Sequence, residues 1–112
     1  MIEETILAYL KEKLGGISVF MELPPDLPSK FVVIDKTGGW MENQIKHSTF
    51  AIQSYDATKF ETASLNEKIK EVMLNMITLT EVSAVRLNSD YPFTDVSKKR
   101  YRYQAVFDIT HY

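Results

Sequence analysis

Between Tyr101 and Ile109 every second residue is apolar: Tyr101, Tyr103, Ala105, Phe107 and Ile109 alternate with Arg102, Gln104, Val106 and Asp108. A period of two belongs to a β-strand with one face against a core. Such a strand cannot stand alone, because its backbone needs neighbouring strands and its apolar face needs a second layer. The rest of the chain must supply both.

Ile2, Ile6, Leu10 and Leu14 recur every four residues and predict an amphipathic helix over 3–14. Glu3 and Glu4 at its start and Lys11 and Lys13 near its end suit the helix dipole, and Gly15-Gly16 supplies a left-handed close. Ile17, Val19, Met21 and Leu23 then predict a strand, stopped by Pro24, Pro25 and Pro28, so that 24–30 reads as a stiff extended connection. Phe31 to Asp35, apolar on both sides, predicts a strand in the middle of a sheet. Thr37 to Gln44 has turn glycines and then polar residues without a period, which predicts a loop, and strand character resumes over Ser48 to Tyr55. Thr58-Lys59-Phe60-Glu61 matches a capping box. Leu65, Ile69, Val72, Met73, Met76 and Ile77 then fall within an arc of roughly 140° at about 100° per residue, leaving Phe60 and Leu74 off the stripe. Val82 to Leu87 predicts a weaker strand, and Asn88 to Lys99 a polar loop.

The resulting order is α-β-β-β-α-β-β. With only two amphipathic helices to cover one-faced strands, the expected fold is α+β: a two-layer domain with both helices on one face of a mostly antiparallel sheet. The 112 residues, 45% of them hydrophobic, suffice for a single domain spanning 1–112 with one core.

Several function classes recede on composition. Without cysteine there is no disulfide framework, thiolate metal site or cysteine nucleophile. No apolar run, Phe31 to Ile34 included, approaches the roughly 20 residues that span a bilayer, and Glu3-Glu4 is unlike a signal peptide, so a soluble protein made in the cytoplasm is expected, with no membrane partner. A net charge of -2 provides no global field for gripping phosphates. His47 and His111 are the only histidines and have no metal-ligand spacing, and Gly38-Gly39 lacks the rest of a phosphate-binding fingerprint. Asp35, Asp56, Asp90, Asp95 and Asp108 are scattered and read as turn and capping residues rather than an acid-base pair. The expectation is a protein with no catalytic residues, no cofactor and no metal.

Two segments stand out as interface candidates. Trp40 and Met41 combine residue types enriched at interface centres in a segment whose neighbours predict exposure. In the run 98–103, the strand period separates Lys98, Lys99, Arg100 and Arg102 from the inward-facing Tyr101 and Tyr103, leaving the cations to meet an acidic partner.

The layout resembles the small tail-terminator and tail-to-head joining (tail completion) proteins of long-tailed bacteriophages and prophage elements. The resemblance rests on the N-terminal amphipathic helix, the Leu23-Pro24 and Leu27-Pro28 turn before Phe31-Val32-Val33-Ile34, and Gly38-Gly39 after that strand. It extends to Ile52-Gln53-Ser54-Tyr55 leading into the long helix and to the terminal Arg100-Tyr101-Arg102-Tyr103-Gln104-Ala105. It implies a non-enzymatic virion assembly protein that forms a ring, typically a hexamer, at the head-tail junction. Its partners would be further copies of itself, the tail tube protein and the head-tail connector protein, with DNA passing through the ring without sequence-specific binding. A small bacterial ligand- or protein-binding α+β module is the alternative, and a small enzyme using the scattered carboxylates a distant third.

Overall fold

The computed structural model describes residues 1–94 and 100–112. The helix α1 (Ile2–Leu14) is followed by a short strand β1 (Ser18–Phe20), two long strands β2 (Phe31–Glu42) and β3 (Ile45–Asp56), and the helix α2 (Lys59–Leu74). After a 3-10 turn over Asn75–Thr78 come β4 (Val82–Pro92) and β5 (Tyr101–His111). This is the α+β order expected from the periodicities. The five strands form one sheet in the order β1-β2-β3-β5-β4; β1 runs parallel to β2, and every other pairing is antiparallel.

Register explains why the helices share one face. Ile34 lies opposite Ile52 and Ile52 opposite Ala105, while Phe50 lies opposite Phe107 and Phe107 opposite Leu87. Alternate residues of three central strands thus build one apolar surface. Ile6, Leu10 and Leu14 of α1 and Leu65, Ile69 and Met73 of α2 close over it. Tyr9 joins the two helices, its hydroxyl donating to the Val72 carbonyl at 2.7 Å. Burial raises the pKa of that phenol, and the nearby Glu12 adds to the shift.

The outer face of the sheet carries a smaller cluster at one end. Phe31 stacks on Tyr55 with ring centroids 4.4 Å apart, and Val33, Phe20 and Leu27 pack around them. The connection that bears the prolines therefore straps the outer face at the start of β2.

The elements differ from the sequence reading in five places, each for a physical reason. The segment 37–44 is not a loop. Gly38 to Glu42 pair with Thr49 to Ile45, a bulge between Lys36 and Gly38 absorbs one residue, and Asn43 and Gln44 turn the chain at φ 50° and 67°. Positive φ at both central residues is the signature of a two-residue hairpin turn. Apolar alternation is missing there because residues 35–46 are all exposed and have no core to face. The first strand, expected to reach Leu23, has only three residues, and Met21 and Leu23 turn to solvent. The second helix ends at Leu74, and the 3-10 turn changes the advance per residue from about 100° to about 120°. Met76 therefore stays buried while Ile77, assigned to the same stripe, is exposed. The expected polar loop begins later than Asn88, because β4 continues to Pro92, which an edge strand tolerates. Finally, Phe107 faces inward as expected, but Tyr101 is 37% exposed and Tyr103 half-buried.

Candidate functional site

The interface candidates do not form one surface. Arg102 lies opposite Tyr55 and so belongs to the strapped end of the sheet; Trp40 lies opposite His47, itself opposite Thr110, at the other end of β5. At about 3.3 Å per residue the two groups are separated by roughly 26 Å. Lys98 and Lys99 lie outside the described residues.

At the strapped end, Arg102 is held rather than free. Its guanidinium carbon sits 4.1 Å from the Phe93 ring centroid and 5.6 Å from that of Tyr55; its Nε donates to the Phe93 carbonyl at 2.7 Å and its Nη1 to the Tyr55 hydroxyl at 2.9 Å. A planar fork with two rings and two acceptors is a structural clamp, joining β5 to the chain that leaves β4. Arg100 lies 5.9 Å from the Phe31 centroid, over the same aromatic cluster, and is half-buried.

At the opposite end, the distal half of the β2–β3 hairpin presents Trp40 at 58% exposure and Met41 at 64%. The indole is nonetheless fixed: it stacks on His47 with centroids 3.9 Å apart and planes 10° from parallel. Beside the stack β2 and β3 approach closely at Gly39, where a Cβ would lie 2.9 Å from the His47 carbonyl oxygen. Two adjacent strand residues point to opposite faces. Trp40 therefore sits on the outer side, with His47, and Met41 on the helix side. Ile45, Met1 and Tyr112 add further exposed apolar surface. The sequence offered little sign of this grouping, because Met1 and Tyr112 reach the hairpin only through the folding of α1 and β5.

Between the first turn of α1, the hairpin and the end of β5 lies an open groove of about 700 Å³. Lys36, Trp40, Met41 and Lys46 line its hairpin side, and Ile2, Glu3 and Glu81 its other side. His111 is buried in its floor, with Nε2 2.8 Å from the Ser48 hydroxyl. Burial pushes the His111 pKa below the usual histidine value, the cations of Lys46 and Lys36 reinforce the shift, and the Tyr112 carbonyl and Glu3 oppose it. A serine hydroxyl on an imidazole has the outline of a nucleophile and base. Here Ser48 is buried, and the other imidazole nitrogen meets the Tyr112 carbonyl at 3.3 Å rather than a carboxylate. This contact therefore reads as hydrogen-bond satisfaction of two buried polar groups.

The aspartates are engaged separately. Asp56 pairs with Lys30 at 3.4 Å and accepts from the Ala57 amide; Asp90 accepts from Asn66 and pairs with Lys70. Asp108 accepts from Thr49 at 2.9 Å and from Asn88 at 3.0 Å and meets Arg86; its carboxyl lies below the ordinary value, chiefly through Asn88. Asp35 is exposed in β2, and Asp95 lies outside the described residues. Among the described residues no group of three or more His, Asp or Glu side chains could hold a metal ion, and no helix is long and apolar enough to cross a membrane.

No protein-family model and no curated protein matches the chain.

Proposed function

We propose that this protein is a non-enzymatic assembly protein of a phage tail, acting in a ring that caps the tail tube and meets the head connector. The observation that carries the reading is the distal hairpin: an exposed Trp40 and Met41 on a hydrogen-bonded β-ladder rather than on a loop. An anchor held in place before docking loses little freedom on binding, which is what a protein that must seat on a repeating surface requires. The domain behind it is closed by its own core, so a subunit is able to fold before it assembles. A net charge of -2 suits a ring around passing DNA, since a strongly basic lumen would hold the polymer through phosphate contacts.

The test is Trp40→Ala assayed on purified tail tubes by electron microscopy. Wild-type protein should cap tube ends. The variant should melt within a few degrees of wild type and cap poorly, because the indole contacts the hairpin and not the core. Capping at wild-type efficiency would remove the hairpin from the interface.

A ligand-binding module is the second reading, favoured by the groove beside His111. It predicts a small molecule that copurifies with the protein and raises its melting temperature. Protein that neither retains such a molecule nor is stabilised by one speaks against it.

A further inference from the structure

Most of the sheet's rim is closed against further strands. β1 has only three residues, and β4 carries register shifts between Val82 and Ala84 and between Leu87 and Ser89 and ends at Pro92. Short strands, bulges and proline are the devices by which an edge avoids pairing. The distal part of β2 has none of them. β1 covers only Phe31 to Val33, and among the described residues Ile34 to Glu42 have a strand neighbour on the β3 side alone. The bulge lies before Gly38, and Gly38 to Glu42 then form a regular ladder, free of proline and lysine.

The turn fixes which backbone groups this edge presents. Asn43 and Gln44 form a two-residue turn, so the flanking Glu42 and Ile45 are a hydrogen-bonded pair, and the pairs alternate from there. Glu42, Trp40 and Gly38 direct their N–H and C=O groups to β3. Met41 and Gly39 turn theirs outward.

We infer that this edge pairs with the same edge of a second copy of the chain, antiparallel and centred on Trp40. Gly39 of each copy then lies opposite Met41 of the other, and their outward groups make the hydrogen-bonded pairs of the new ladder. Trp40 faces its own counterpart in a non-hydrogen-bonded pair, the kind in which side chains approach closest. Because Trp40 already stacks on His47, the two copies join in one aromatic row across the outer face. On the helix side Met41 lies across from a glycine, which leaves room for it, and Glu42 lies opposite Gly38, so no like charges meet. A sheet edge accepts an extended strand, and this one carries its own complement: two glycines before Trp40 and two bulky residues after it, which antiparallel pairing brings together.

Register leaves this centre and no other. Directly opposed residues share a face of the sheet, so the two-fold axis must fall on a residue. A centre at Gly39 would set Met41 against Thr37, in the bulge, and a centre at Met41 would set Gly39 against Asn43, in the turn. Centring on Trp40 engages the ladder from Gly38 to Glu42 and nothing else. The contact is isologous and closes on two copies, and it does not depend on the tail reading. It covers the same indole, so a tail tube binding through this hairpin would displace the second copy.

The chain has no cysteine, so introduced thiols report the register. Gly38→Cys and Glu42→Cys suit this use, since a Cβ at Gly38 meets nothing within 4 Å and Glu42 is exposed. Across the axis, positions 38 and 42 form a non-hydrogen-bonded pair with Cα atoms about 4.5 Å apart, within reach of a disulfide. Each position is offset from its own counterpart by about 13 Å along the ladder. An equal mixture of the two variants in oxidised glutathione should therefore form covalent dimers at least about tenfold faster than either variant alone. Adding Met41→Pro to both removes an outward N–H and no bond to β3, and should abolish that advantage with circular dichroism and melting temperature unchanged.

Equal rates in the mixture and the separate variants, or a faster reaction of one variant alone, overturn the pairing and leave the edge to a strand of another protein. An advantage that survives Met41→Pro also overturns it. Should Met41→Pro disturb the hairpin, the mixture against the separate variants still decides.

Discussion

Replacing Gly39 by alanine would put a Cβ 2.9 Å from the His47 carbonyl oxygen and 3.5 Å from the Lys36 side chain. The second neighbour is able to swing away. The first is backbone, fixed by the ladder in which Gly39 pairs with Ser48 and Trp40 with His47, and moving it means opening the hairpin. Overpacking of this kind costs about 1–3 kcal/mol. Gly38 provides the control, since a Cβ there meets nothing within 4 Å and its φ lies outside the left-handed region. Gly38→Ala should stabilise by roughly 0.4–1 kcal/mol, through the narrower unfolded ensemble. Because residues 35–46 are exposed, part of the Gly39→Ala loss should appear locally, so urea unfolding should be paired with amide hydrogen exchange along the hairpin. Faster exchange confined to 36–48, together with red-shifted emission of Trp40 as its stack on His47 loosens, is the expected result. Equal stability and equal exchange in the two variants would refute the close-approach argument.

Ile69, fully buried beneath the sheet, should lose on the order of 2–4 kcal/mol on replacement by alanine, measured by urea unfolding. Gln44 turns at φ 67°, a conformation costing a non-glycine residue about 1–2 kcal/mol, so Gln44→Gly should raise stability by roughly 0.5–1 kcal/mol after the entropy of the added glycine is counted. His111 has a lowered pKa in the fold, so the unfolded chain binds its proton more readily and stability rises with pH across that window. As the pH falls through the unfolded histidine value of about 6.5 towards the folded value, melting temperature should drop, and His111→Gln should flatten that slope.

The fold was legible wherever a side chain faces the core. The four-residue spacing from Ile2 to Leu14 and the alternation from Tyr103 to Ile109 survive in the structure because burial selects those residues. Legibility ended where no core selects anything. The distal hairpin is held by backbone pairing, a bulge and two left-handed residues, none of which leaves an apolar period. Trp40 and Met41 stood out by residue type, but the groove beside them depends on α1 and β5 arriving from distant parts of the chain. Arg102 shows the opposite failure. Alternation correctly put it on the outer face, yet a side-chain period carries no record of the Phe93 and Tyr55 rings that hold it there.

The place of β5 between β3 and β4 bears on how the chain reaches this state. Lys46 pairs with His111 and Asp56 with Tyr101, so the central β3–β5 ladder joins segments far apart in the sequence. Closing such loops precedes the contacts that reward it, which slows folding relative to domains with local pairing. Until β5 arrives, the β2–β3 hairpin shows one unpaired flank with Phe50 and Ile52 beside it, and β4 has no partner at all. During that interval the chain is most exposed to pairing with another copy of itself. Slow dilution at low protein concentration should therefore refold it in higher yield than rapid concentration, and substitutions that weaken β5 should lower soluble yield more than their effect on stability alone would suggest.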